Sequence, residues 1–316
     1  MNSRADVSAI LIAGPTASGK SAIALDLAET VDGMVINVDA MQVYRELRVL
    51  TARPSLSDEQ RAPHRLYGVL GAEVACSAGQ WLEFAKAALD EARRTHKMPI
   101  FVGGTGLYFK ALTDGIAPVP PIPTYVREQA RALYDELGAA DFWRELEKLD
   151  PEGAAGVPPT DRQRLIRAFE VVTATGTPLG DWHQLPTSPT LLGRALRYVL
   201  CPDRASLYAR TDARFDHMLE NGAVDEVRAL LGRGLSSELP AMKALGVREL
   251  ADFLAGDVNL ETAASQAKMA TRRYAKRQIT WFKNQMIAWE GINAQEMENL
   301  GQRIFTNICN TSLTLT

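Results

Sequence analysis

Gly14-Pro15-Thr16-Ala17-Ser18-Gly19-Lys20-Ser21 decides the reading of this 316-residue chain. It fits G-x-x-x-x-G-K-[ST] in full and stands where an apolar run gives way to helix-forming residues. Val7 to Ala13 supplies a strand, and Ala22, Ile23, Ala24, Leu25 and Leu27 supply a helix. Backbone N–H groups of such a turn, together with the positive end of the helix dipole, form an anion site. Lys20 adds a point charge, and the Ser21 hydroxyl is suited to a magnesium ion. Gly14, Thr16, Ala17, Ser18, Gly19, Lys20 and Ser21 are therefore expected to hold a pyrophosphate-like group, and the molecule that carries it stays open.

Composition narrows the classes around that loop. Hydrophobic residues at 46% and charged residues at 23% describe an ordinary globular mixture with a sizeable core. No apolar run is long enough to span a membrane, and Met1 to Asp6 has no signal-peptide character, so a cytoplasmic protein is expected. Three dispersed cysteines and four scattered histidines support neither a disulfide framework nor a zinc site. A formal net charge of −3 leaves room for a local basic patch but not for a basic coat.

Moving outward from the loop, Met34 to Val38 reads as a buried strand ending at Asp39, where open α/β sheets collect their chemistry. Asp39 is open to two readings, a reacting carboxylate or a helix cap and magnesium ligand. Gly79 to His96 reads as a helix leading into the strand Pro99 to Val102, which implies a βαβ unit. That strand ends in Gly103-Gly104-Thr105-Gly106, a turn that lets backbone approach a ligand or is simply a tight turn, and not in the acid of an ordinary ATPase. From Gly115 the prolines at 118, 120, 121 and 123 form a stiff connector to a wholly helical stretch, and Leu196 to Leu200 returns to strand pattern. The expected architecture is α/β, a parallel sheet flanked by helices, with residues 1–116 and 190–316 forming a discontinuous core around a helical insertion at 117–189.

Two helices carry charge patterns that composition alone leaves undecided. Gln163, Arg164 and Arg167 share one side of a helix beginning after Asp161, and suit either solvent or phosphate. Arg210 and Arg214 share a face on Leu207 to Leu219 and suit either anions or their own Asp212, Asp216 and Glu220. Thr262 to Trp289 is expected to be one long helix bearing Lys268, Arg272, Arg273, Lys276, Arg277 and Lys283 without an acid. With Tyr274, Trp281 and Phe282 between the charges, it favours contact with nucleic-acid phosphates.

Taken together these motifs resemble the bacterial tRNA dimethylallyltransferases, also called tRNA isopentenyltransferases. The likeness rests on the phosphate loop, on Asp39-Ala40-Met41-Gln42-Val43-Tyr44, on Ser77-Ala78-Gly79-Gln80 and on Val102-Gly103-Gly104-Thr105-Gly106-Leu107-Tyr108. It rests also on Asp161-Arg162-Gln163-Arg164-Leu165-Ile166-Arg167-Ala168 and on Ala275-Lys276-Arg277-Gln278-Ile279-Thr280-Trp281-Phe282. The chain departs from the family pattern at Ala40, Met41 and Arg53, and with three dispersed cysteines the zinc-finger extension of eukaryotic relatives is not expected.

The resemblance implies a P-loop NTPase-like fold. It also implies transfer of a dimethylallyl group from dimethylallyl diphosphate to the exocyclic amine of the adenosine 3′ of the anticodon, in tRNAs that read codons beginning with U. Asp39 would take the amine proton, while Thr16, Lys20, Arg214 and Mg2+ on Ser21 would stabilise the departing diphosphate. The anticodon stem-loop would be met by Asp39, Ala40, Met41, Gln42, Thr105, Arg127, Gln163, Arg164, Leu165, Ile166, Arg167, Lys276, Arg277, Gln278 and Lys283, with the target base flipped out. A monomer is the default. The rival readings are a small-molecule kinase that holds ATP in the same loop and a non-catalytic RNA-binding protein that uses the loop as a nucleotide switch.

Overall fold

A computed structural model describes residues 7–187 and 191–293, with 296, 299, 301–304 and 306. The core of the fold is the apolar strand β1 (Ala9–Ala13), every residue of which is buried. It runs between β4 (Met98–Gly103) and β5 (Ala195–Leu200), and the sheet order is β3-β2-β4-β1-β5-β6. The remaining strands are β2 (Gly33–Asn37), β3 (His64–Arg65) and β6 (Glu290–Ile292), and all five pairings are parallel.

A strand sends alternate residues to opposite faces. Ala9, Leu11 and Ala13 accordingly join one apolar cluster with Met34, Ile36 and Phe101. Ile10 and Ile12 join another with Val35, Ile100 and Val102. Both faces need cover, which is why these strands read as unbroken apolar runs. Helix α1 (Lys20–Thr30) supplies one cover through Ala24, Leu25, Leu27 and Ala28. After the short α2 (Leu56–Arg61), helix α3 (Ala78–Arg94) supplies the other through Trp81, Ala85, Ala88, Leu89 and Ala92. Trp81 stacks on Tyr108 of α4 (Gly106–Asp114) at 4.4 Å between ring centres, and its indole N–H donates to the Asn37 carbonyl.

Contacts divide the chain into two compact units, Met1–Thr113 with Leu191–Thr316, and Asp114–Thr190. The second unit is helical and contains α5 (Thr124–Leu149), α6 (Pro151–Ala155), α7 (Arg162–Thr175) and α8 (Leu179–Gln184). Gly138 breaks α5 into two helical segments with φ 73°. Phe142, Leu146, Leu165 and Ala168 belong to its own apolar core. The expected boundary at residues 189 and 190 lies outside the described residues.

The first unit resumes with α9 (Arg204–Glu220), α10 (Ala223–Leu231), α11 (Val247–Ala255) and α12 (Leu260–Gln285). A short 3-10 turn at Pro240–Lys243 precedes α11, separated from it at Gly246 with φ 90°. One expectation is corrected here. The long basic helix ends at Gln285 instead of Trp289, and Glu290–Ile292 pairs with β5.

Candidate active site

The phosphate loop leaves β1 at the carboxyl edge of the sheet, with the Gly14 N–H donating to the Gly103 carbonyl at 3.2 Å. A Cβ at Gly14 would lie 2.7 Å from Ser18 Oγ and 3.1 Å from Leu200 Cβ, so a side chain there would force these neighbours to shift. Ala17 (φ 59°) and Gly19 (φ 91°) adopt left-handed backbone, the geometry that turns successive N–H groups into an anion-binding nest. Helix α1 then begins with no side-chain cap at Gly19 and no acid in its first turn, so its N-terminal dipole is left for an anion. Ser18 is 1% exposed and its hydroxyl has no hydrogen-bond partner among the described residues. Lys20 Nζ donates to the Pro15 carbonyl at 3.2 Å. Burial pulls its pKa from 10.5 to about 8, with Arg214 adding to the effect and Asp39 opposing it. Ser21 is exposed on the first turn of α1.

Asp39 follows β2 and is held from several sides. Asn37, fully buried, accepts from the Asp39 N–H at 2.9 Å and donates to the carbonyls of Asp39 and Leu66. Thr105 Oγ1 accepts from the Ala40 N–H, and Asp39 Oδ1 accepts from the Met41 N–H, each at 2.9 Å. Asp39 Oδ2 makes no hydrogen bond among the described residues, so one carboxylate oxygen stays available. Its charge reaches the basic groups of Lys20 and Arg214, and it adds to the burial that pushes the phenols of Tyr67 and Tyr274 upward. Burial lowers the Arg214 pKa, with Asp39 working against that shift. Among the described residues Arg214 has no ion pair.

The acids of α9 turn elsewhere. Asp212 pairs with Arg272 at 2.5 Å and Asp216 with Lys268 at 2.6 Å. Two of the α12 charges expected to meet phosphate are thus already neutralised. Arg273, Lys276, Arg277 and Lys283 are exposed and have no acidic partner among the described residues, and Arg277 lies over the Tyr274 ring at 5.6 Å. Arg273, Lys276, Arg277, Thr280, Trp281, Asn284 and Gln285 line an open groove.

The turn at Gly103 to Gly106, which from sequence suits either a ligand or a plain tight turn, is packed by the protein itself. A Cβ at Gly103 would lie 2.0 Å from the Val38 carbonyl oxygen, at Gly104 2.2 Å from Gln278 Nε2, and at Gly106 2.1 Å from the Trp281 ring. Thr105 donates its N–H to the Val38 carbonyl while its hydroxyl serves the Asp39 turn.

Several residues expected to touch RNA have other duties. Gln278 is 6% exposed; its amide oxygen accepts from the Thr16 N–H and its amide nitrogen donates to the Gly104 carbonyl, both at 2.9 Å. Gln42 donates to the carbonyls of Thr51 and Ala52. Leu165 and Ile166 are buried in the core of the helical unit, while Gln163 and Arg164 beside them are exposed. Arg127 is exposed, and Arg167 is half-buried against Glu170 at 3.7 Å. Sequence reasoning missed Asn37, Tyr67 and the structural use of Gln278. The 3 and 4 spacing of Ala275, Gln278 and Phe282 placed that amide on the buried face of the helix.

This geometry can be set beside known proteins. Family models described as isopentenyl transferase and IPP transferase match residues 7–72 and 42–285. The tRNA dimethylallyltransferase of Rhodopseudomonas palustris is 53% identical over 292 residues, covering 92% of this chain and 91% of its own. The chain belongs to the tRNA dimethylallyltransferase family. A second member, from Parvibaculum lavamentivorans, is 50% identical over 306 residues, 97% of each chain. Among solved structures, the full-length tRNA isopentenylpyrophosphate transferase of Bacillus halodurans superposes with TM-score 0.68 at 30% identity, over 96% of this chain and 98% of that one. A eukaryotic dimethylallyltransferase acting on tRNA superposes with TM-score 0.78 at 27% identity, over 90% and 73%. The kinase reading of the phosphate loop gives way to a transferase of this family. No helix among the described residues is long and apolar enough to cross a membrane.

Proposed function

We propose that this transferase moves a dimethylallyl group from dimethylallyl diphosphate to the exocyclic amine of the adenosine 3′ of the anticodon, in tRNAs that read codons beginning with U. The observation that carries this reading is a free Asp39 Oδ2 alongside an uncapped anion loop, with the Asp39 charge acting on both Lys20 and Arg214. Carbon–nitrogen bond formation at the primary allylic carbon accompanies cleavage of its bond to the diphosphate oxygen. The amine proton goes to Asp39, and the diphosphate leaves into the cradle of loop N–H groups, Lys20 and Arg214. Thr16, Ala17 and Ser18 would line that cradle.

No group of His, Cys, Asp and Glu among the described residues forms a metal cage of its own. The exposed Ser21 hydroxyl at the first turn of α1 fits Mg2+, which binds few protein groups and completes its shell with phosphate oxygens and water. When bound, the ion neutralises charge on the diphosphate.

Lys276, Arg277 and Lys283 would meet RNA phosphates, as would Arg127, Gln163, Arg164 and Arg167 of the helical unit, and the flipped adenine would face Asp39 beside Ala40, Met41 and Thr105. Incubation with labelled dimethylallyl diphosphate, Mg2+ and an anticodon stem-loop containing three consecutive adenosines tests the reading, and an RNA without label defeats it. Asp39→Ala should keep RNA affinity and lower transfer by about 100-fold or more. Lys276→Ala should reduce the salt slope of RNA binding by about 1, whereas Lys268→Ala, already paired with Asp216, should change it less.

A further inference from the structure

The hydrogen bonds of Gln278 join three segments far apart in sequence, and this inference rests on the donor-binding role of the phosphate loop proposed above. An amide side chain offers one acceptor and one donor. Here the acceptor meets the Thr16 N–H, 262 positions away in sequence, and the donor meets the Gly104 carbonyl, 174 positions away. Neither partner has an obvious substitute, since Gln278 is buried and its neighbours on α12, Ala275 and Phe282, are apolar and buried. Gly104 is suited to this fit because any Cβ would fall 2.2 Å from the amide nitrogen. The Pro15–Thr16 peptide is therefore held at both ends, its carbonyl by the Ser18 N–H and Lys20 Nζ of its own loop at 3.2 Å each and its N–H by Gln278 of α12 at 2.9 Å.

We infer that Gln278 is a positioning residue for the donor's diphosphate. It holds the Pro15–Thr16 peptide so that the remaining N–H groups of the loop converge on the anion before the anion arrives. A loop left to itself would lose part of its binding free energy in ordering that peptide. The exposed Lys276 and Arg277 flank Gln278 on the same helix, so one stretch of α12 would serve RNA through its outer side and the donor through its inner side.

The test separates these two sides. Gln278→Leu removes both hydrogen bonds, Gln278→Asn keeps a buried amide too short to span both partners, and Gly104→Ala displaces the amide without touching it. Binding of inorganic pyrophosphate with Mg2+ is measured by calorimetry, and stem-loop binding and thermal melting are measured on the same samples. Loss of one well-made hydrogen bond in the cradle should weaken pyrophosphate binding by about ten-fold, with RNA affinity held within about two-fold. In the transfer assay KM for dimethylallyl diphosphate should rise while KM for RNA stays. Lys276→Ala should show the opposite split.

If Gln278→Leu does not fold, Gln278→Asn and Gly104→Ala carry the measurement. A purely structural Gln278 would lower the melting temperature and leave pyrophosphate affinity unchanged in those variants, and that result overturns the inference. Because pyrophosphate binding is read without transfer, a wild-type protein that binds pyrophosphate but transfers no label would defeat the proposed reaction and leave this inference standing on its own data.

Discussion

Two glycine-rich turns lie on neighbouring strands at the carboxyl edge of the sheet, and they use glycine for opposite purposes. The loop Gly14 to Ser21 after β1 keeps its left-handed backbone and its helix N-terminus uncapped, with Gly19 facing open space. The turn Gly103 to Gly106 after β4 is packed shut by the Val38 backbone, the Gln278 amide and the Trp281 ring. In sequence the two look alike. Gly19 leaves room for a ligand; Gly103, Gly104 and Gly106, like Gly14 at the head of the first loop, remove side chains so that the protein can close on itself, and the second turn fixes the Asp39 turn through Thr105.

Substitutions can break that comparison, and the largest effect is expected at Gly103. Alanine there must displace backbone 2.0 Å away, so it should cost more than about 4 kcal/mol and abolish a cooperative thermal melt. Gly106→Ala meets a side-chain ring that can shift, and urea denaturation should show a loss of about 1–3 kcal/mol. Gly19→Ala, with nothing within 4 Å, should cost only the left-handed strain of about 1–2 kcal/mol. If Gly19→Ala unfolds the protein while Gly103→Ala does not, the division between open and closed turns is wrong.

Acid–base behaviour sharpens the same contrast with a smaller effect. Lys20 titrates near 8 in the folded protein against an ordinary 10.5, so between these values the unfolded chain binds the extra proton. Stability of the ligand-free protein should therefore gain a contribution from Lys20 as pH rises through that window. Pyrophosphate affinity should fall over the same range, because the ammonium form is the one that attracts the anion. Calorimetry and melting at pH 7.5 and 9.5, with Lys20→Met as the control that flattens both slopes, measure this.

The central strands and their crossover helices were legible because doubly covered strands must be apolar throughout, as in β1, β2 and β4. The edge strands were not. His64–Arg65 and Glu290–Ile292 are too short and too polar to stand out, and their pairing depends on what lies beside them. The phosphate loop and Asp39 were legible because position along a strand-turn-helix unit carries chemistry. The sorting of charges on α12 was not, since Lys268 and Arg272 find their acids on α9, as much as 60 residues away for Arg272. The same holds for Gln278, whose role exists only once Thr16 and Gly104 are folded beside it.

The position of β1 has a consequence for synthesis. One edge pairs with β4, but the other waits for β5, and Ser8 bonds to Arg194 across 186 positions. At roughly 5–20 residues per second, a ribosome leaves that apolar edge unpaired for on the order of ten to forty seconds. Meanwhile the helical unit from Asp114 to Thr190 emerges and can fold around its own core. The nascent chain thus holds a sheet with an exposed strand edge while the helical unit can already fold, a state suited to holding by a chaperone until Ala195–Leu200 arrives.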